Sequence, residues 1–67
     1  QMDKAIETQK KALDRAGPNA PVLRLNLAKL YVKKGDAAAA RNELQTLTAL
    51  GSKFGQQDEV ARLMKSL

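Results

Sequence analysis

The chain has 67 residues, of which 43% are hydrophobic but only Tyr31 and Phe54 are aromatic, and twelve Lys and Arg outweigh seven Asp and Glu for a net charge of +5. That length holds one domain or part of one, and it buries only about 60% of the surface of the unfolded chain. Neither Cys nor His occurs, which excludes disulfide staples and the usual zinc sites, and no apolar run approaches the ~20 residues that cross a bilayer.

The first predicted helix covers 3–16. Met2, Ala5, Ile6, Ala12, Leu13 and Ala16 recur at helical spacing with Gln9 on the same line. Asp3 stands at the positive end of its dipole and Arg15 near the negative end. Gly17-Pro18 stops it, and Asn19 is the expected N-cap of a second helix over 20–34, with Pro21 tolerated in the first turn. This helix is apolar nearly all round. Leu23, Leu27, Leu30 and Tyr31 form one broad side, with Leu25, Ala28 and Val32 beside them. Only a stripe of Asn26, Lys29 and Lys33 stays polar, so other elements must cover the helix on more than one side.

Gly35 closes the second helix and Asp36 caps a third over 37–50, leaving almost no loop. Ala40, Leu44 and Leu47 make the apolar face of the third helix, with Ala37 and Leu50 at its margins; Arg41, Asn42, Gln45 and Thr48 point outward. Gly51 ends it, and Phe54 is the expected plug of the loop that follows. A fourth helix over 57–66 sets Val60, Leu63, Met64 and Leu67 at i, i+3, i+4 and i+7, with Asp58 and Glu59 in its first turn and Lys65 in its last. The chain reads as all-α, and connections this short favour antiparallel neighbours.

Sliding the chain by 35 positions sets Ala5 on Ala40, Ala12 on Leu47 and Gly17 on Ser52. The first and third helices read as one unit used twice, and a period of this size marks stacked helical pairs. "PVLRLNLAKLYVKKGDAAAARNELQTLTAL" resembles one whole tetratricopeptide repeat. Leu27, Ala28 and Tyr31 match the signature of its first helix, Gly35-Asp36 its turn, and Ala40, Leu44 and Leu47 the apolar positions of its second helix. "DKAIETQKKALDRAGPNA" is similar to the second half of a preceding repeat, through Ala5, Ala12 and Pro18. Four departures stand out: Arg24 where a large apolar residue is usual, Leu47 for a small residue, Gly51-Ser52 for a terminal Pro, and the extra Gly17.

The resemblance implies antiparallel hairpins of a right-handed solenoid. Residues 3–18 would be the second half of one repeat, 20–50 a complete repeat and 56–67 a C-terminal capping helix. In such hairpins the two helices approach closely just after the turn, and Ala40 is the residue whose small side chain leaves room for the opposing backbone. The tail "ALGSKFGQQDEVARLMKSL" also resembles the ending of bacterial repeat lipoproteins of exosortase (PEP-CTERM) systems, where a Phe-containing loop leads to a Leu-rich closing helix. A periplasmic or a cytoplasmic bacterial setting fits these resemblances equally. The chain opens mid-pattern at Gln1-Met2-Asp3, as a piece of a longer array would, so the lack of a leader leaves the compartment open.

No catalytic constellation emerges. Ser52-Lys53 and Lys65-Ser66 are adjacent pairs with nothing to hold them in reach, Asp58-Glu59 suit a helix dipole, and "GSKFG" lacks the Walker spacing and a preceding strand. The expectation is a non-enzymatic protein-interaction scaffold without metal or cofactor. By resemblance, Val22, Leu25, Asn26, Lys29 and Lys33 line the groove. Asn26 would bond a peptide backbone, and Lys29 and Lys33 would attract an acidic partner. Two alternatives stand beside it. One is a structural cap or a homodimer formed through Met2 and Ile6 of the first helix. The other is nucleic-acid binding, which the Ala37–Ala40 run disfavours because it offers no polar side chain to read base edges.

Overall fold

The computed structural model describes residues 2–67 and contains, among them, four α-helices and no strand. Helix α1 spans Met2–Asp14, α2 Ala20–Lys34, α3 Ala37–Ala49 and α4 Gln57–Ser66, with short 3₁₀ turns at Gly17–Asn19 and Gly51–Lys53. The expected all-α arrangement of antiparallel hairpins is the one found. Each helix packs on the next in the chain, α2 on both α1 and α3, and α3 on α4. The Cα envelope is 33 × 28 × 14 Å. Two helix axes about 8–10 Å apart, plus a Cα radius of ~2.3 Å on each side, fill that smallest dimension, so the helices form two layers.

The turns account for the tightness of the hairpins. Gly35 adopts φ +89°, and its N–H donates to the Val32 carbonyl at 3.1 Å while the Asp36 N–H donates to the Tyr31 carbonyl at 2.9 Å. These are the paired bonds by which a left-handed residue ends a helix and satisfies its last carbonyls. Asp36 then accepts from the Ala39 N–H at 3.2 Å and caps α3, as its position predicts.

The start of α2 differs from expectation, because Asn19 makes no side-chain cap bond. The 3₁₀ turn runs straight into the helix: the Ala20 N–H donates to the Gly17 carbonyl, and Pro21 has no N–H to satisfy. α1 also ends two residues early, at Asp14, since Arg15 and Ala16 donate to Ala12 and Leu13 in i→i−3 bonds that tighten its last turn.

Two apolar clusters meet across α2. Leu25 and Ala28 pack with Leu44 and Leu47 of α3, with Phe54 of the loop that follows it, and with Val60 of α4. Leu27 and Tyr31 pack with Ile6 of α1 and Ala40 of α3. The near-complete apolar circumference of α2 is thereby covered by all three other helices, and Phe54 is the buried plug of its loop.

Two expectations from the sequence are corrected, one at Ala5 and one at the face of Met2 and Ile6. Ala5 is exposed on the outer side of α1 rather than packed. Ile6, expected on an open face available to a second copy, is buried against Leu27 and Tyr31, and Met2 is half-buried beside the same cluster. Arg24, already noted as a departure from the repeat pattern, reaches Glu43 of α3 at 2.7 Å with both side chains partly buried, so an ion pair joins the hairpin where the pattern usually places a large apolar residue.

Candidate partner-binding surface

On α2, Val22, Asn26, Lys29 and Lys33 recur at intervals of four, three and four residues. At ~100° per residue these positions fall within about 60° of arc, and at ~1.5 Å per residue they run ~16 Å along the axis. The stripe faces outward because the other sides of α2 are occupied by Leu25, Leu27, Ala28 and Tyr31. Val22 is 44% exposed and is the single large apolar side chain left in solvent among the described residues. Asn26 and Lys33 are exposed as well.

Of the expected groove residues, Leu25 stands off the surface and Lys29 is already paired. Leu25 is 1% exposed and belongs to the core with Val60 and Leu47, so it positions the stripe from behind and is out of reach of any ligand. Its helical angle lies just beside the stripe, on the flank that α4 covers. Lys29 is on the stripe, but its Nζ is 2.8 Å from Glu59 Oε2 of α4, each side chain being about two-fifths exposed (40% and 38%). Lys33, one turn further on, forms no ion pair among the described residues.

The neighbouring charges hold α1 in place. Lys34 lies 2.7 Å from Asp3, joining the end of α2 to the start of α1. Their hydrogen bond and mutual charge lower the Asp3 carboxyl below its ordinary value and raise the Lys34 ammonium above its own. Lys10 sits 5.9 Å from the centre of the Tyr31 ring, within cation–π range. Gln9 Nε2 donates to the Leu23 carbonyl at 3.0 Å, a polar tie on the side of α1 that packs against α2.

α4 is held by a contact that the sequence did not single out. Gln57 Nε2 donates to the Leu47 carbonyl at 2.7 Å and the Gly51 carbonyl at 3.0 Å, adding a second donor to carbonyls that also accept from the Leu50 and Phe54 N–H groups where α3 ends. With Val60 and Phe54 buried below it, this fixes the first turn of α4 and therefore Glu59. An acidic residue in a first helical turn is explained locally by the dipole, so no signal in the linear sequence pointed from Glu59 to Lys29.

Among the described residues no group of acidic side chains is placed to hold a metal ion, no helix is long and apolar enough to cross a membrane, and no enclosed pocket is present. What the surface offers is an open strip combining one apolar side chain, one amide and two ammonium groups, one of them paired with Glu59. A family profile described as tetratricopeptide repeat matches residues 1–67. No curated protein and no solved structure matches the chain.

Proposed function

The chain belongs to the tetratricopeptide repeat family, and on that premise we propose that it takes an acidic, extended segment of a partner protein along the exposed stripe of α2. Within this reading α1 is the second helix of one repeat, α2 and α3 form a complete repeat, and α4 is a cap whose Val60 shields the apolar flank carrying Leu25 and Leu47. The family supports an interaction scaffold in general terms. The particular surface is argued from Val22, an apolar side chain left exposed in line with Asn26 and the unpaired Lys33.

The chemistry follows from the spacing. Val22 offers an apolar anchor, Asn26 a donor and an acceptor for peptide backbone, and Lys33 a full positive charge for a carboxylate. An extended peptide advances ~3.3 Å per residue, so about five residues separate the backbone over Val22 from the backbone over Lys33, where the long, flexible lysine reaches a carboxylate at the edge of the strand. The surface is formed before the ligand arrives, and little ordering entropy opposes binding on this side.

A labelled peptide Leu-Ser-Ala-Glu-Ala-Glu tests the reading by fluorescence anisotropy and amide chemical shifts. Shifts are expected at Val22, Asn26 and Lys33, and Lys33→Glu should abolish binding while leaving the far-ultraviolet circular dichroism unchanged. Binding that survives Lys33→Glu, or shifts confined to α3, would remove the stripe from consideration.

A further inference from the structure

Glu59 places a carboxylate from α4 on an ammonium of the ligand stripe. The Lys29–Glu59 distance of 2.8 Å is that of a formed ion pair. Neither side chain has another charged partner among the described residues. The carboxylate is also carried by a turn that cannot easily withdraw: Val60, its neighbour in sequence, is 1% exposed, and Gln57 ties the same turn to the end of α3.

We propose that Glu59 is an internal competitor that sets the charge selectivity of the α2 stripe, occupying Lys29 so that only Lys33 is free to take a ligand carboxylate. The proposal rests on the stripe being the binding surface. With Glu59 in place, the stripe presents one uncompensated positive charge rather than two. A ligand carboxylate aligned with Lys29 must either displace Glu59 or lie beside it, and like charges at that range repel. A carboxylate aligned with Lys33 meets no such opposition. Glu59 therefore favours partners with an acidic residue about five positions from their apolar anchor over partners acidic throughout. Both side chains are partly exposed, so the pair adds little to folding and its removal leaves the helices intact.

Two labelled peptides distinguish the possibilities, Leu-Ser-Ala-Glu-Ala-Glu and Leu-Ser-Ala-Gln-Ala-Glu, which differ only in the carboxylate that falls near Lys29. The parent protein should bind the second peptide more tightly than the first, because Glu59 repels the carboxylate that falls near Lys29. In Glu59→Gln the first peptide should tighten about two- to fivefold over the second, the range that an exposed ion pair supplies. Measuring the ratio of the two peptides cancels the general gain from removing a negative charge. A ratio between the two peptides that is the same in Glu59→Gln as in the parent would overturn the selectivity role and leave the stripe standing. Absence of binding by both proteins, or binding indifferent to Lys33→Glu, would overturn the stripe itself and this role with it. Circular dichroism of Glu59→Gln confirms that the comparison is made on folded protein.

Discussion

Replacing Ala40 with leucine is the sharpest probe of how the hairpin closes. Ala40 is 0% exposed in the first full turn of α3, where its N–H donates to the Asp36 carbonyl at 3.1 Å, and it packs against Leu27 and Tyr31 of α2 and Ile6 of α1. Leucine adds three carbon atoms to a side chain that is already wholly enclosed by these neighbours. The helices must move apart or the neighbours must leave their rotamers, at a typical cost of about 1–3 kcal/mol. A chain of this length has only ~3–5 kcal/mol in hand. At ~4–8 °C per kcal/mol for a domain of this size, a loss of ~2 kcal/mol lowers Tm by about 8–16 °C. Thermal unfolding followed by far-ultraviolet circular dichroism reads the shift directly. Ala38→Leu is the control, since Ala38 is exposed on the same helix, and its effect should stay within ~0.5 kcal/mol. If Ala40→Leu melts within about 2 °C of the parent, the close approach of α2 and α3 is not what requires alanine there.

Gly35→Ala should cost about 1–2 kcal/mol in urea unfolding, and wholly through backbone strain: φ is +89° and a Cβ there would meet nothing within 4 Å. A loss near zero would mean the turn had changed its form. Gln57→Ala removes two hydrogen bonds from the end of α3 and should cost about 1–2 kcal/mol, with amide exchange quickening in α4 while the α2 amides keep their protection; uniform acceleration would contradict a local role. The Asp3–Lys34 pair gives a pH signature. The Asp3 carboxyl titrates below its ordinary value of 3.8, so its contribution is present above that pH and is lost as pH falls through the lowered value. The Lys34 ammonium titrates above its ordinary 10.5, so its contribution is present below that pH and is lost as pH rises through the raised value. Carboxyl carbon shifts should follow Asp3 back toward 3.8 in Lys34→Gln, and an unmoved titration would show that the pair is not formed in solution.

Most of the fold is legible from local chemistry. Helical spacing located all four helices, Gly35-Asp36 and Gly17-Pro18 marked the breaks, and the all-round apolar character of α2 required the three neighbours it has. Asn19 misled because its good capping side chain became unnecessary once a 3₁₀ turn supplied the acceptor for the first N–H of α2. Periodicity also read the helix surface too simply. Leu25 and Lys29 sit on either side of the same angular boundary, and only the position of α4 decides that the first is core and the second is not.

What the linear order of residues determined is the set of properties that depend on a few neighbours: where helices start and stop, which side of each is apolar, and that Ala40 follows its turn by one helical step. The tertiary structure alone decided which charges meet between helices. Arg24 with Glu43, Lys29 with Glu59 and Lys34 with Asp3 are separated by 19, 30 and 31 residues along the chain, and the 2.7–2.8 Å distances between them exist because packed helices bring their surfaces together. Spacing within one helix carries no record of the neighbour that will lie against it, so the difference between an available lysine and an occupied one is written only in the assembled fold.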